Sequence, residues 1–355
     1  MNRVGAHAFR SLAGAAAALI VFAFASTAAA DERYAAIVID ARSNEVLLED
    51  QADESRFPAS LTKMMSLYLL FEALERGDVN LSTRISASRN AARQPPSRLG
   101  LRRGDILTVE QAIQALVVQS ANDVAVAVAE RLGGTEARFA NQMNAKARNL
   151  GMEDTRFVNA SGLPNPRQRS TARDMALLSQ ALWRDFPENY HYFQTSSFSY
   201  RRRFGRNHNR LLGQVDGVDG IKTGYTRASG FNLASSAERD GRRVIVVVMG
   251  GETAAARDAQ VAYLIEGAFE EYARREDPNV AYANLPSQRL DLQLAPGVLN
   301  AGATQTAALT SAAPFAANQG VVIETLSPLR APLDGAASTL IGQGDEGESS
   351  TEEPQ

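Results

Sequence analysis

The 355-residue sequence contains no cysteine and only three histidines, His7, His191 and His208. Without cysteine there is no thiol nucleophile and no thiolate ligand for zinc. So few histidines leave little room for a Ser-His-Asp triad or for a multi-histidine metal site. We therefore expect any chemistry in this chain to need neither a metal nor a cofactor, and to use a base other than histidine.

Long apolar runs are also scarce, and the clearest one lies near the N-terminus. Residues 1–11 carry Arg3 and Arg10 and no acid, residues 12–25 are almost wholly apolar, and Ala28–Ala30 is a small-residue exit. This order predicts a secretory signal at residues 1–30, cleaved after Ala30. The apolar part is short for a spanning helix, which needs about 20 residues, although an uncleaved N-terminal anchor stays an alternative. An exported chain without cysteine indicates the bacterial periplasm.

The chain has no excess of positive charge. Its formal net charge is −3, and removing Arg3 and Arg10 with the signal makes it −5. This charge favours no nucleic acid or other polyanion as a partner.

Composition divides the rest of the chain into two parts. Residues 31–278 alternate apolar and polar positions as a folded domain does, whereas residues 279–355 form a short tail rich in Ala, Ser and Thr that ends in acids. We expect this tail to be largely disordered, with one short strand at 321–326. Its acidity would be repelled by anionic lipid, so the tail gives no evidence of a C-terminal membrane anchor.

Within the domain, the periodicity predicts a sheet flanked by helices. A helical block lies between an early hairpin (34–40 and 45–49) and three late strands (217–223, 230–238 and 244–250), and a last helix follows at 253–275. The block contains helices at about 58–76, 108–118, 122–134 and 135–148, with Gly151 beyond the end of the fourth, and one that Ser170 or Thr171 opens and that ends at about 184. The first of these helices is apolar nearly all round, so it should be buried. The triplet Arg201–Arg203 reads as a strand end that faces solvent, and a loose contact with an anionic glycan is the alternative.

Lysine is the informative residue type. Of 37 lysines and arginines only three are lysine, namely Lys63, Lys146 and Lys222. Arginine cannot shed its proton, but a lysine beside apolar groups and another cation can. Two of the three lie in triplets that suit acyl transfer: Ser60-Leu61-Thr62-Lys63 is S-x-x-K, and Lys222-Thr223-Gly224 is K-T-G. Both would occur by chance in roughly a few of every thousand such chains.

A third motif lies between them. Ser120-Ala121-Asn122 is S-x-N at a break between two predicted helices. Alone it would be an ordinary capping signal, but in this order it completes the set of motifs found in serine acyl-transfer enzymes.

The spacing supports a nucleophile and its base. Residues i and i+3 share a helix face, so Lys63 comes within reach of the Ser60 hydroxyl. Free amides at the start of the helix favour a developing negative charge on Ser60. Apolar neighbours and the Lys222 cation would lower the lysine pKa from its reference of ~10.4. The alternative, a surface lysine on an amphipathic helix, conflicts with the absence of a polar face.

The sequence resembles the low-molecular-mass penicillin-binding proteins of the D-alanyl-D-alanine carboxypeptidase family. The resemblance runs from about residue 31 to residue 277. Besides the three motifs it includes Phe57-Pro58-Ala59, Asn159-Ala160-Ser161-Gly162-Leu163-Pro164, Asn207-His208-Asn209-Arg210-Leu211-Leu212 and Asp219-Gly220-Ile221.

This resemblance implies an α+β, β-lactamase-like fold, with a five-stranded antiparallel sheet flanked by helices and a helical subdomain. It implies a peptidoglycan stem peptide ending in D-Ala-D-Ala as substrate and β-lactams as covalent inhibitors. The implied roles are nucleophile for Ser60, base for Lys63, proton relay for Ser120, substrate orientation for Asn122, electrostatics for Lys222, carboxylate binding for Thr223 and Arg257, close approach of substrate at Gly224, and oxyanion amides at Ser60 and Tyr225. For Arg257 an ordinary surface position, as one of 34 arginines, stays the alternative.

Alternatives remain within and outside this fold. An endopeptidase that cuts D-Ala-diaminopimelate crosslinks would carry the same motifs. A β-lactamase is less favoured, because Ala121 stands where class A enzymes have aspartate and no E-x-x-x-N signature is evident. A non-catalytic protein that binds peptidoglycan or senses β-lactams would not need every motif intact. A structural envelope protein would leave the placement of the lysines unexplained.

We predict that Lys63→Arg slows acylation of Ser60 by a β-lactam nearly as much as Lys63→Ala does, because a guanidinium keeps the charge but cannot accept the serine proton. Labelling with a fluorescent penicillin measures this, with Ser60→Ala as the blank. A Lys63→Arg rate within about tenfold of wild type, ~1.4 kcal/mol in barrier, would show that Lys63 acts only as a cation.

Overall fold

The computed structural model describes residues 33–276, so the signal predicted at residues 1–30 and the strand predicted at 321–326 lie outside the described residues. The strands are β1 (Ala35–Asp40), β2 (Val46–Asp50), β3 (Arg84–Ser86), β4 (Ile106–Thr108), β5 (Ser197–Tyr200), β6 (Arg203–Arg206), β7 (Val218–Thr226), β8 (Gly230–Arg239) and β9 (Arg242–Gly251). The helices are α1 (Thr62–Glu75), α2 (Arg89–Ala92), α3 (Val109–Val118), α4 (Asn122–Gly133), α5 (Glu136–Asn149), α6 (Ala172–Asp185), α7 (Pro187–Tyr190) and α8 (Ala254–Glu276). Two 3₁₀ turns occupy Ala59–Leu61 and His191–Gln194.

The main sheet has five strands in the order β2-β1-β9-β8-β7. All its neighbouring strands are antiparallel. This confirms the predicted sheet and leaves β7, which carries Lys222-Thr223-Gly224, at one edge. An edge strand exposes half of its backbone groups to whatever lies beside the sheet.

Both faces of this sheet are covered, which explains the continuous apolar run in β9. Ile245, Val247 and Met249 join the core that α1, α3, α4 and α6 build on one face. The alternate residues Val244, Val246 and Val248 join the smaller core against α8 on the other. Because side chains alternate across a strand, a strand buried on both faces is apolar at every position.

The helix ends follow local capping chemistry. Thr108 and Gln111 form a reciprocal capping box at the start of α3, and Thr171 caps α6 through the amide of Asp174. These hydrogen bonds satisfy amides that have no partner within the helix. They confirm the helix starts predicted from Thr108 and Thr171.

The first helix differs in detail from its prediction. Residues 59–61 form a 3₁₀ turn and the α-helix begins only at Thr62. Ser60 therefore lies in the 3₁₀ turn, where residues i and i+3 come into line because there are three residues per turn. Lys63 is completely buried in the first turn of α1.

The short elements were not predicted. The hairpins β3–β4 and β5–β6 have strands of three and four residues, and α2 and α7 are single turns. Such short segments bury few side chains, so the sequence carries little periodicity to reveal them. The Arg201–Arg203 triplet spans the β5–β6 turn rather than a simple strand end.

Candidate active site

A cleft of about 520 Å³ opens where the start of α1, the start of α4 and the edge strand β7 meet. Seven of the nine predicted site residues line it: Ser60, Ser120, Asn122, Thr223, Gly224, Tyr225 and Arg257. The other two, Lys63 and Lys222, are fully buried. None of the described residues that line the cleft is an aspartate or a glutamate, whereas several are cationic.

The Lys63 amine contacts three oxygens. Its Nζ lies 3.1 Å from Ser60 Oγ and 2.8 Å from Asn122 Oδ1, and it also donates to the backbone carbonyl of Ser161. The orientation of the Asn122 amide is fixed by its other end, since Nδ2 donates to the Pro95 carbonyl at 3.0 Å. The amine is thus held by three separate segments of the chain.

Burial sets the charge on this amine. Complete desolvation holds the Lys63 pKa well below its ordinary 10.5, and the Lys222 cation lowers it further, whereas the Asp123 carboxylate opposes the change. The Asp123 oxygens accept from the backbone amides of Leu99, Gly100 and Leu101, and no hydrogen bond joins them to the Lys63 amine within the described residues. The carboxylate therefore acts on the amine only through its charge, and burial remains the largest influence.

A neutral Lys63 fits these contacts. A neutral amine has two N–H groups and one lone pair. Asn122 Oδ1 and the Ser161 carbonyl can only accept, so they take the two N–H groups. The lone pair is left for the hydroxyl proton of Ser60, which is the arrangement a general base needs.

Lys222 is the second buried lysine. Burial lowers its pKa to about 7, and the Arg257 cation acts in the same direction. Its Nζ donates to the Thr223 carbonyl at 2.9 Å. Lys222 therefore places a titratable cation behind the cleft without touching a carboxylate in the described part of the chain.

Ser120 differs from the other non-glycine residues of the cleft in its hydrogen bonding and its backbone conformation. Its Oγ is buried and has no hydrogen-bond partner among residues 33–276. Its backbone has φ of +53° at the break between α3 and α4. Left-handed backbone is costly for serine and tends to be kept where function requires it. Ser120 is one of the residues that line the cleft with Ser60.

The edge strand lies directly against the nucleophile. A Cβ added at Gly224 would lie 3.0 Å from the Ser60 amide nitrogen and 3.1 Å from the Pro58 carbonyl oxygen. Only glycine therefore lets β7 approach this closely. The neighbouring Tyr225 is 55% exposed and stacks on Phe231 with ring centroids 4.2 Å apart. Thr223, on the other side of Gly224, lines the cleft.

Arg257 lines the far side of the cleft and is held rigidly. Its Nε donates to Asp258 at 2.8 Å, its Nη2 lies 2.7 Å from the same carboxylate, and its Nη1 donates to the Asn232 carbonyl at 2.7 Å. A guanidinium has five N–H donors. These contacts leave two of them for a ligand, so the side chain is both fixed and able to bind.

His208 contributes no buried catalytic contact. Its ring is exposed at the rim of the cleft. The cleft walls desolvate it in part, and together with the Lys222 and Arg257 cations they lower its pKa to about 4. The ring is therefore neutral at physiological pH.

Residues 159–163 form a part of the site for which no role was predicted from the sequence. The Ser161 carbonyl accepts from Lys63, and the Ala160 carbonyl accepts from Ser66 at 2.7 Å. Gly162 has φ of +84°, and a Cβ there would lie 1.8 Å from the Ala59 carbonyl oxygen. This loop packs against the nucleophile turn through a residue that must be glycine. In the sequence, the feature that could have indicated this loop is the Ser161-Gly162 pair, which lies in the segment 159–164 that carries part of the family resemblance.

Two structural features bear on other classes of protein. Within residues 33–276 no helix combines the length and apolarity that a bilayer crossing demands. Over the same range, no three carboxylate or imidazole side chains gather as metal ligands would.

The chain belongs to the D-alanyl-D-alanine carboxypeptidase family, whose model matches residues 23–253. It is similar to D-alanyl-D-alanine carboxypeptidase DacC of Escherichia coli (strain K12), with 38% identity over 67% of this chain and 64% of that protein. It thus spans just under two thirds of that relative's length.

Solved structures agree on the fold. Penicillin-binding protein 5 from Haemophilus influenzae has a TM-score of 0.65 and 32% identity, over 66% of this chain and 70% of that one. Penicillin-binding protein D2 from Listeria monocytogenes, solved in an ampicillin-bound form, has a TM-score of 0.59 and 32% identity, over 65% of this chain and 96% of that one. The β-lactamase-like fold class expected from the sequence is confirmed.

We predict that Gly162→Ala destabilises the protein more than Gly151→Ala does. Both glycines have positive φ, but a Cβ at Gly151 would meet nothing within 4 Å, whereas at Gly162 it meets the Ala59 carbonyl. Gly151→Ala should lower the free energy of unfolding by about 1–2 kcal/mol, the cost of a left-handed backbone at alanine alone. Gly162→Ala should lower it by about 1–3 kcal/mol more, because the added Cβ forces the Ala59 carbonyl to shift. Urea unfolding of both variants measures the difference, and equal losses would show that the loop does not press on the nucleophile turn.

Proposed function

We propose that the protein is a serine-type D-alanyl-D-alanine carboxypeptidase that removes the terminal D-alanine from peptidoglycan stem peptides. The observation that carries this proposal is the fully buried Lys63 amine, 3.1 Å from Ser60 Oγ, behind a cleft to which residues 33–276 contribute cations and no acid. We further propose export to the periplasm through residues 1–30, with residues 31–278 as the catalytic domain.

Acylation follows from the contacts at Lys63. The amine lone pair takes the proton of Ser60 while Oγ attacks the carbonyl carbon between the two terminal D-alanines. The carbonyl oxygen becomes an oxyanion in reach of the Ser60 and Tyr225 backbone amides, one at the start of a helix and one on the sheet edge. Preorganised amides of this kind are commonly the largest catalytic contribution.

Collapse of the intermediate needs a proton on the leaving amine. Ser120, with an unpartnered hydroxyl, passes a proton from Lys63 to that nitrogen, and the C–N bond breaks to release D-alanine. Water then attacks the Ser60 ester while the neutral Lys63 amine takes its proton. The ester C–O bond breaks, Ser60 Oγ takes that proton back from Lys63, and the shortened peptide leaves. Asn122 positions Lys63 through Oδ1. This role is additional to the contact with the substrate backbone that was predicted from the sequence.

Recognition of a free C-terminus falls to the cationic side of the cleft. Arg257 has two N–H groups left, Thr223 offers its hydroxyl, and Lys222 adds positive charge from behind. A planar fork with unused donors suits a carboxylate. The site therefore suits a leaving residue that carries a free α-carboxylate, as the terminal D-alanine does.

β-Lactams should acylate Ser60 by the same route, since their strained amide takes the place of the scissile bond. The likeness to a penicillin-binding protein solved with ampicillin supports this part of the proposal.

We predict that Arg257→Ala loses about one to two orders of magnitude in kcat/KM on a free-acid pentapeptide ending in D-Ala-D-Ala, the worth of a charge-assisted hydrogen bond. The amidated pentapeptide should be a poor substrate for wild type and nearly indifferent to Arg257→Ala. D-alanine and D-alaninamide release measure the two-by-two comparison.

The comparison also has outcomes that contradict the proposal. Equal loss on both peptides would show that Arg257 is structural, through its contacts with Asp258 and Asn232. Efficient cleavage of crosslinked muropeptide dimers with weak release of D-alanine from pentapeptide would indicate an endopeptidase.

A further inference from the structure

A second cleft of about 460 Å³ adjoins the first and shares Ser97, Arg206 and His208 with it. Its remaining lining includes Arg202, Arg203 and Phe204, all on the β5–β6 hairpin. As in the first cleft, none of the described lining residues is acidic. A ligand in the first cleft can therefore continue into the second without crossing a negative charge.

The arginines of this hairpin differ in their partners. Arg201 is engaged by Asp105, with both nitrogens within 3.0 Å of the carboxylate. Arg202, Arg203 and Arg206 form no ion pair within residues 33–276. Three guanidiniums without an ion-pair partner among the described residues give this hairpin a local positive potential that attracts anions.

The hairpin and the Arg203 guanidinium are both packed against the rest of the fold. Tyr200 Oη donates to the Ile106 carbonyl at 3.1 Å. The Arg203 guanidinium lies against Gly100, where an added Cβ would be 2.7 Å from its Cζ. Gly205 packs on Gln119, whose Nε2 would be 2.6 Å from an added Cβ.

The hairpin also presents an apolar surface. Phe204, which follows Arg203 on β6, is 63% exposed and also lines the second cleft. A cleft lined by both an aromatic ring and guanidiniums suits a ligand with an aliphatic part and a carboxylate.

We infer that Arg202, Arg203 and Arg206 form a specificity subsite for a carboxylate on the acyl side of the substrate, upstream of the D-Ala-D-Ala terminus. The inference rests on the proposed carboxypeptidase activity. The subsite would bind a second carboxylate of the substrate, separate from the terminal carboxylate that Arg257 binds. It selects stem peptides whose upstream residues carry a free carboxylate over those in which it is amidated.

Two pairs of synthetic peptides test this. N-acetyl-Glu-D-Ala-D-Ala is compared with its Gln analogue, and N-acetyl-Glu-Ala-D-Ala-D-Ala with its Gln analogue, so that the carboxylate is offered at two distances. Wild type should prefer Glu over Gln about 5–20-fold in kcat/KM in at least one pair at low ionic strength. The preference should shrink in high salt, which screens exposed charges.

In the double variant Arg202→Gln/Arg203→Gln the Glu-to-Gln ratio should fall to within about twofold of one, while activity on the Gln peptides stays near wild type. The matched control is Arg131→Gln/Arg148→Gln, which removes the same net charge from exposed positions that line neither cleft. That control should keep the wild-type ratio.

Three results would overturn the subsite. These are a wild-type ratio near one in both pairs, a ratio retained in the hairpin variant, and an equal fall in the control, which would indicate a general field effect. Release of D-alanine from the Gln peptides by wild type reports separately on the proposed activity, so failure of the subsite and failure of the carboxypeptidase are distinguishable.

Discussion

The complete burial of the Lys63 amine is the constraint on which the rest of the site depends. A fully buried lysine is costly when charged unless a carboxylate pairs with it. Among the described residues its polar contacts are a hydroxyl, an amide oxygen and a backbone carbonyl, and none of these carries charge. The neutral form removes this cost and leaves a lone pair directed at Ser60. Destabilising the charged lysine and activating the serine are therefore one effect.

The fold supplies this environment from distant parts of the chain. Asn122 is 59 residues beyond Lys63 and Ser161 is 98 residues beyond it. The sheet brings β7 to the same point from the C-terminal half, where Gly224 lies against the Ser60 amide. Close approach at Gly162 and Gly224 encloses the nucleophile turn on two sides. The result is a rigid pocket in which donors and acceptors are placed before a substrate arrives.

The sequence predicted those parts of the site that are local or carried by rare residues. S-x-x-K was legible because one turn of helix aligns Ser60 with Lys63, and because the chain contains only three lysines. The five-stranded sheet and the long helices followed from clear periodicity. The Ser161 carbonyl could not be predicted, since any residue offers a carbonyl and only tertiary packing selects one. The β5–β6 hairpin was missed because four-residue strands on the surface bury too little to impose a pattern. The Arg257 pairing with Asp258 needed the structure to show which donors remain unused.

Direct observation of the lysine charge states tests the central claim. With three lysines in the chain, protein labelled with ¹³C at lysine Cε and ¹⁵N at Nζ gives three side-chain signals, each assigned by its loss in a Lys→Met variant. The account predicts that the Lys63 signal titrates to the neutral amine well below the ordinary 10.5, and that Lys222 does so near pH 7. A Lys63 signal that stays that of an ammonium up to the ordinary lysine pKa, in a protein that still acylates with penicillin, would contradict it.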